Sequence, residues 1–144
     1  MKTFYLFFLF LPVVALSQKT FTDVTKEAGI DNIYDVYQGL FGGGAVAFDY
    51  NNDGYEDLFI TGGLSQDILY KNNGDGSFSD VTIEAGISIE GFGLGVAISD
   101  VNYDGWPDIF IGNDYITNDL LYINNQDGTF SNKIRDFMTK FSYH

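Results

Sequence analysis

Short apolar stretches alternate with polar clusters along this chain, at a spacing too tight for helices. Residues 44–50 (GAVAFDY), 57–61 (DLFIT), 68–71 (ILYK) and 78–82 (FSDVT) each read as a strand. Runs of Asn, Asp and Gly separate them and break any longer periodicity. Between the third and fourth lies Asn72-Asn73-Gly74-Asp75-Gly76, a hairpin signal because Asn-Gly and Asp-Gly tolerate the positive φ of tight turns. Glu84-Ala85-Gly86 then predicts a single helical turn, and no longer helical pattern is evident.

The chain also repeats itself. Residues 41–63 (FGGGAVAFDYNNDGYEDLFITGG) align with 92–114 (FGLGVAISDVNYDGWPDIFIGND) at an offset of 51. Residues 69–78 (LYKNNGDGSF) align with 121–130 (LYINNQDGTF) at an offset of 52, and 21–30 (FTDVTKEAGI) with 78–87 (FSDVTIEAGI). Four short strands in about 50 residues is the size of one propeller blade. The expected fold is therefore all-β, with blades of four antiparallel strands: repeat one over 41–90 and repeat two over 92–144. Residues 21–25 read as an isolated strand of the fourth type. The spacing from Phe78 to Phe92, applied from Phe130, falls on the last residue, His144. About two blades of an incomplete propeller are expected, with open packing faces that favour self-association.

Two loops carry the candidate chemistry. Asp49-Tyr50-Asn51-Asn52-Asp53-Gly54-Tyr55-Glu56-Asp57 and Asp100-Val101-Asn102-Tyr103-Asp104-Gly105-Trp106-Pro107-Asp108 share D-x-N-x-D-G-x-x-D. Oxygen side chains at positions 1, 3, 5 and 9 can converge if the chain wraps around one point. Glycine at 6 permits the sharp turn, and position 7 can offer its carbonyl. Hard Ca²⁺ needs such an oxygen-rich set. An EF-hand would require Glu at position 12 between helices, but Ile60 and Ile111 stand there and the flanks are strand-like. The bland alternative is a solvated acidic hairpin, since Asn, Asp and Gly favour turns for local reasons. Two loops in register, each keeping all four oxygens and the glycine, favour the cation.

Composition narrows the classes further. With 20 Asp+Glu against 7 Lys+Arg, the net charge is −13, which opposes nucleic-acid binding and suits hard cations or basic partners. There is no Cys, so disulfides and thiolate zinc sites are excluded, and the single His is His144. Met1 and Lys2 precede an apolar run over 4–16, too short for a helical membrane span. With Ala15-Leu16-Ser17 after it, this predicts a secretory signal over 1–17, export, and no membrane span once it is removed.

The Phe-Gly start, the acidic loop and the following D-[LI]-F-I strand resemble FG-GAP/VCBS repeats. FTDVTKEAGI and LYKNNGDGSF resemble more narrowly the cartilage-acidic-protein (ASPIC/UnbV-like) group. The resemblance implies blades of an integrin-α-type β-propeller with Ca²⁺ in the loops. It implies two sites: Asp49, Asn51, Asp53, the Tyr55 carbonyl and Asp57, then Asp100, Asn102, Asp104, the Trp106 carbonyl and Asp108. It further implies a non-enzymatic adhesion or binding module for an extracellular protein or glycan. The chain departs from the family in length, since those propellers have about seven blades and the narrower group adds a C-terminal domain. Two rival readings are a secreted calcium-dependent hydrolase and a non-functional truncated propeller.

Smaller features have local explanations. Asp75 and Asp127 sit in the NNGDG and NNQDG hairpins, where turn formation accounts for them. Gly42–Gly44 and Gly93–Gly95 are followed by neither a Lys-Ser/Thr pair nor a helix, so they predict close strand packing and not a phosphate cradle. Tyr50, Tyr55, Tyr103 and Trp106 are expected to pack between blades, with stacking on a sugar or partner as the alternative.

Overall fold

A computed structural model describes residues 20–31, 43–62, 65–88, 93–114 and 117–138; the signal expected over 1–17 lies outside them. The described residues form β1 (Ala45–Phe48), β2 (Asp57–Ile60), β3 (Ile68–Asn72), β4 (Phe78–Asp80), β5 (Gly93–Ser99), β6 (Asp108–Asn113), β7 (Leu120–Asn124), β8 (Phe130–Asn132) and α1 (Ile134–Met138). The strands make two four-stranded sheets, ordered β1-β2-β3-β4 and β5-β6-β7-β8. Every neighbouring pair is antiparallel. The fold is all-β, two blades of an incomplete propeller.

The expected strands are present, some of them shortened at their ends by side-chain capping. Asp80, for instance, accepts the Thr82 N–H and hydroxyl and turns the chain out of β4. Asp23 accepts the N–H and hydroxyl of Thr25 in the same way, and Asn132 accepts the N–H of Ile134, so one strand-to-turn element occurs three times. In the first two copies Gly29 and Gly86, at φ 78° and 75°, stop the turn, which only glycine does cheaply. The Ala28 and Ala85 carbonyls then accept the N–H groups of Phe78 and Phe130.

Two expectations are corrected here. Residues 134–138 contain no glycine to end the turn, so the third copy continues as the unexpected helix α1. Residues 21–25 form no strand, and Phe21 is fully exposed. The equivalent residues Phe78–Asp80 are a strand because β3 supplies their ladder partners; no described strand pairs with residues 21–23.

The core lies between the blades. Phe59 and Leu69 of one sheet face Ile109, Ile111 and Tyr122 of the other, joined by Ala85 and Ile87 of the connecting turn. All seven are essentially inaccessible to solvent, and truncating a buried Phe or Ile to Ala typically costs about 2–5 kcal/mol. Alternation along the strands sends the intervening residues to the opposite faces. Glycines allow the inner strands to meet, as expected. A Cβ on Gly44 would lie 3.2 Å from Val96 Cγ1, and one on Gly93 3.0 Å from Thr61 Cβ.

Candidate cation-binding loops

The two acidic loops join β1 to β2 and β5 to β6, at the same end of each sheet. Their first residue follows a strand and their last begins one, so hydrogen bonding in the sheet fixes both ends. Gly54 and Gly105 take φ 90° and 88° at position 6, the turn the pattern requires. Position 4 is also left-handed, with Asn52 at 56° and Tyr103 at 62°. Asn tolerates that region; a bulky Tyr rarely adopts it.

Inside each loop the acidic side chains accept backbone N–H groups in one shared scheme. Asp49 accepts from Asp53 N at 3.1 Å and Gly54 N at 2.8 Å, and Asn51 Oδ1 accepts the same Asp53 N–H at 2.9 Å. Asp53 Oδ1 accepts from Tyr55 N at 3.0 Å, while its Oδ2 accepts the Asn51 amide. Asp100, Asn102 and Asp104 repeat every one of these bonds with Asp104 N, Gly105 N and Trp106 N. Positions 1, 3 and 5 are thus drawn together around one amide.

Position 9 is held differently. Asp57 is fully buried and accepts Tyr50 N at 3.1 Å and Asn72 N at 2.7 Å. Asp108, equally buried, accepts Val101 N and Asn124 N. Burial raises the Asp57 carboxyl above its usual range, the two N–H groups pull it down, and the charges of Asp53 and Asp49 push it up further. Asp104 is lowered, chiefly by the Trp106 N–H. Among the described residues, no three acidic side chains stand close enough to grip a metal ion without adjustment.

The donor set nonetheless suits calcium. Each bonded carboxylate oxygen keeps a second lone pair, so the backbone bonds orient positions 1, 5 and 9 without exhausting them. The loops differ in one respect. Lys71 Nζ lies 3.8 Å from Asp53 Oδ2, whereas in the second loop the amide of Gln126 reaches Asp104 Oδ2 at 3.1 Å. Asp75 and Asp127 are lowered first by the hydroxyls of Ser77 and Thr129 within their own hairpins. Those hairpin acids act as turn formers.

A family model described as an FG-GAP-like repeat matches residues 49–111, from the first acidic loop into the strand after the second. The chain is also similar to cartilage acidic protein 1 of Xenopus tropicalis, 33% identical over 93 residues, covering 64% of this chain. To cartilage acidic protein 1 of Homo sapiens it is 35% identical over 92 residues, covering 63%. The chain spans about 13% of the length of each of these relatives.

Several supporting residues of the repeat were not singled out in the sequence. Asn72 and Asn124 read there only as hairpin formers, yet their backbone N–H groups anchor Asp57 and Asp108. Asn124 also donates its side-chain amide to the Tyr50 carbonyl at 2.8 Å, tying the second blade to the first loop. Their recurrence at the 52-residue offset was the available signal. Of the four flanking aromatics, Tyr50 packs between the blades against Phe130, ring centres 6.0 Å apart. Trp106 is half-buried, and Tyr55 and Tyr103 are exposed.

Proposed function

We propose that this chain is an exported, non-enzymatic binding module, each of whose two acidic loops holds one structural Ca²⁺. One observation carries the reading: both loops keep the same oxygens at positions 1, 3, 5 and 9 in the same hydrogen-bond scheme. Purely local turn preference has no need to preserve a buried carboxylate at position 9. The ion would draw the three carboxylates of each loop together, neutralise them, and cross-link the two strands the loop connects. The relatives named cartilage acidic protein 1 and the apolar start over 1–16 both support an extracellular setting. There the surface at net charge −13 favours a basic protein or a glycan bearing cationic groups. Calorimetric titration of the folded chain with CaCl₂ tests the central point. Two ions per chain are expected, and the absence of any binding heat rejects the reading.

A further inference from the structure

A cleft opens between the two blades on the side of the acidic loops, bordered by both loops, the turn after β4 and the hairpin before β8. Its volume is about 540 Å³, within the range of roughly 300–1,000 Å³ typical of ligand pockets. The buried part of its lining is Tyr50 and Ala85, with Val81 packed against the core. Trp106, the only tryptophan of the chain, is half-buried in the same lining.

Three carboxylates reach this cleft from three different elements: Asp53 from the first loop, Glu84 from the connecting turn and Asp127 from the second hairpin. Against them stands one cation. The Lys71 ammonium lies 3.8 Å from Asp53 Oδ2, so the cleft already accommodates a positive side chain, held loosely. Asp127 bonds only through Oδ1, to the N–H and hydroxyl of Thr129. The Glu84 carboxylate has no hydrogen bond or ion pair among the described residues. Two of the three carboxylates thus lack a counter-charge. Apolar walls lower the local dielectric, which strengthens their pull on a cation relative to carboxylates on an open surface. A phosphate, sulfate or uronate would meet repulsion there. Arginine suits the site better than lysine, because its planar guanidinium stacks on an indole while its N–H fork serves carboxylates.

We propose that this cleft receives an arginine side chain of a basic partner protein, its guanidinium on the Trp106 ring and its N–H groups directed to Glu84 and Asp127. This deepens the binding-module reading above and rests on the basic partner named there, not on calcium.

Trp106 emission reports on the cleft directly. The folded full chain is titrated with blocked tetra-arginine, tetra-lysine and tetra-citrulline peptides, in CaCl₂ and again in chelator, with calorimetry in parallel. Tetra-arginine is expected to change the emission saturably under both conditions, and to bind about threefold more tightly than tetra-lysine. Uncharged tetra-citrulline is expected to leave the emission unchanged. Glu84→Gln and Asp127→Asn are each expected to weaken tetra-arginine about threefold, an ordinary contribution for an exposed charge pair. Glu27→Gln removes the same charge at the counterpart of Glu84, outside the cleft, and is expected to leave the affinity unchanged. Lys71→Ile removes the resident ammonium and is expected to tighten binding about threefold, a gain that a misfolded chain would not show. Tetra-citrulline or tetra-lysine binding as well as tetra-arginine, or Glu27→Gln weakening it as much as Glu84→Gln, overturns the proposal. Binding heat without a change in Trp106 emission removes the cleft and keeps the basic partner; neither heat nor emission change removes both.

Discussion

Asn124 in the second blade donates its side-chain amide to the carbonyl of Tyr50 in the first, 74 residues away and at 2.8 Å. It donates also to Pro107 O, and its Oδ1 accepts Gln126 N. Its counterpart Asn72 makes only the bonds within its own blade. One residue type at one repeat position therefore has two energetic roles.

Asn124→Ala is expected to destabilise the chain by about 2–3 kcal/mol, since it leaves the buried Tyr50 carbonyl unpaired and opens a small cavity. Asn72→Ala, at an exposed bond, is expected to cost about 1 kcal/mol or less. Urea unfolding of the two variants checks the ordering. Equal losses would mean that the cross-blade bond contributes nothing of its own.

Tyr103 sits at φ 62° with its ring almost fully exposed, so its packing does not offset its backbone strain. Tyr103→Asn, the residue type the first loop has at that position, is expected to stabilise by about 1 kcal/mol. A thermal melt reads this as a rise in Tm of several degrees. The reverse change, Asn52→Tyr, is expected to lower it.

Calcium is expected to raise the melting temperature, and chelator to reverse the shift. A free concentration of about 100 times Kd adds ~2.7 kcal/mol per site, and one equal to Kd only ~0.4. Asp53→Ala and Asp104→Ala are each expected to remove one site. The first loop is expected to be the weaker site, because the Lys71 ammonium stands beside Asp53 and would repel the ion. Lys71→Ile, which copies Ile123 of the second blade, is expected to narrow the gap between the two affinities. Titration of the three variants separates these outcomes.

Asp67 is buried between β2 and β3. It accepts Gly62 N at 2.9 Å through Oδ1, while Oδ2 has no partner among the described residues. Burial raises its pKa from 3.8 to about 6. The folded chain thus holds this proton more tightly than the unfolded one, and stability falls as pH rises from about 4 to 6 and then levels off. The loss amounts to at most about 3 kcal/mol. Asp67→Asn removes the titration, so the stability difference between the variant and the natural chain is expected to shift by that order between pH 4 and pH 7. Parallel pH profiles for the two proteins would contradict it.

The strands, the blade size and the acidic loops were legible in the sequence because each depends on neighbours within about ten residues. Alternation in DLFI and DIFI, Asn-Gly and Asp-Gly at the hairpins, and glycine at loop position 6 are local preferences that tertiary contacts reinforce. The repeat then multiplied every local signal. Where a partner from another part of the chain decides, the sequence was silent. FTD at 21–23 and FSD at 78–80 read alike, yet only the second has β3 beside it and forms a strand. Asn72 and Asn124 also read alike, and only the stacking of one blade on the next distinguishes them. Local propensity sets what a segment can become; the ladder partner or facing blade, reached through tertiary packing, decides whether its hydrogen bonds and apolar surface are satisfied there.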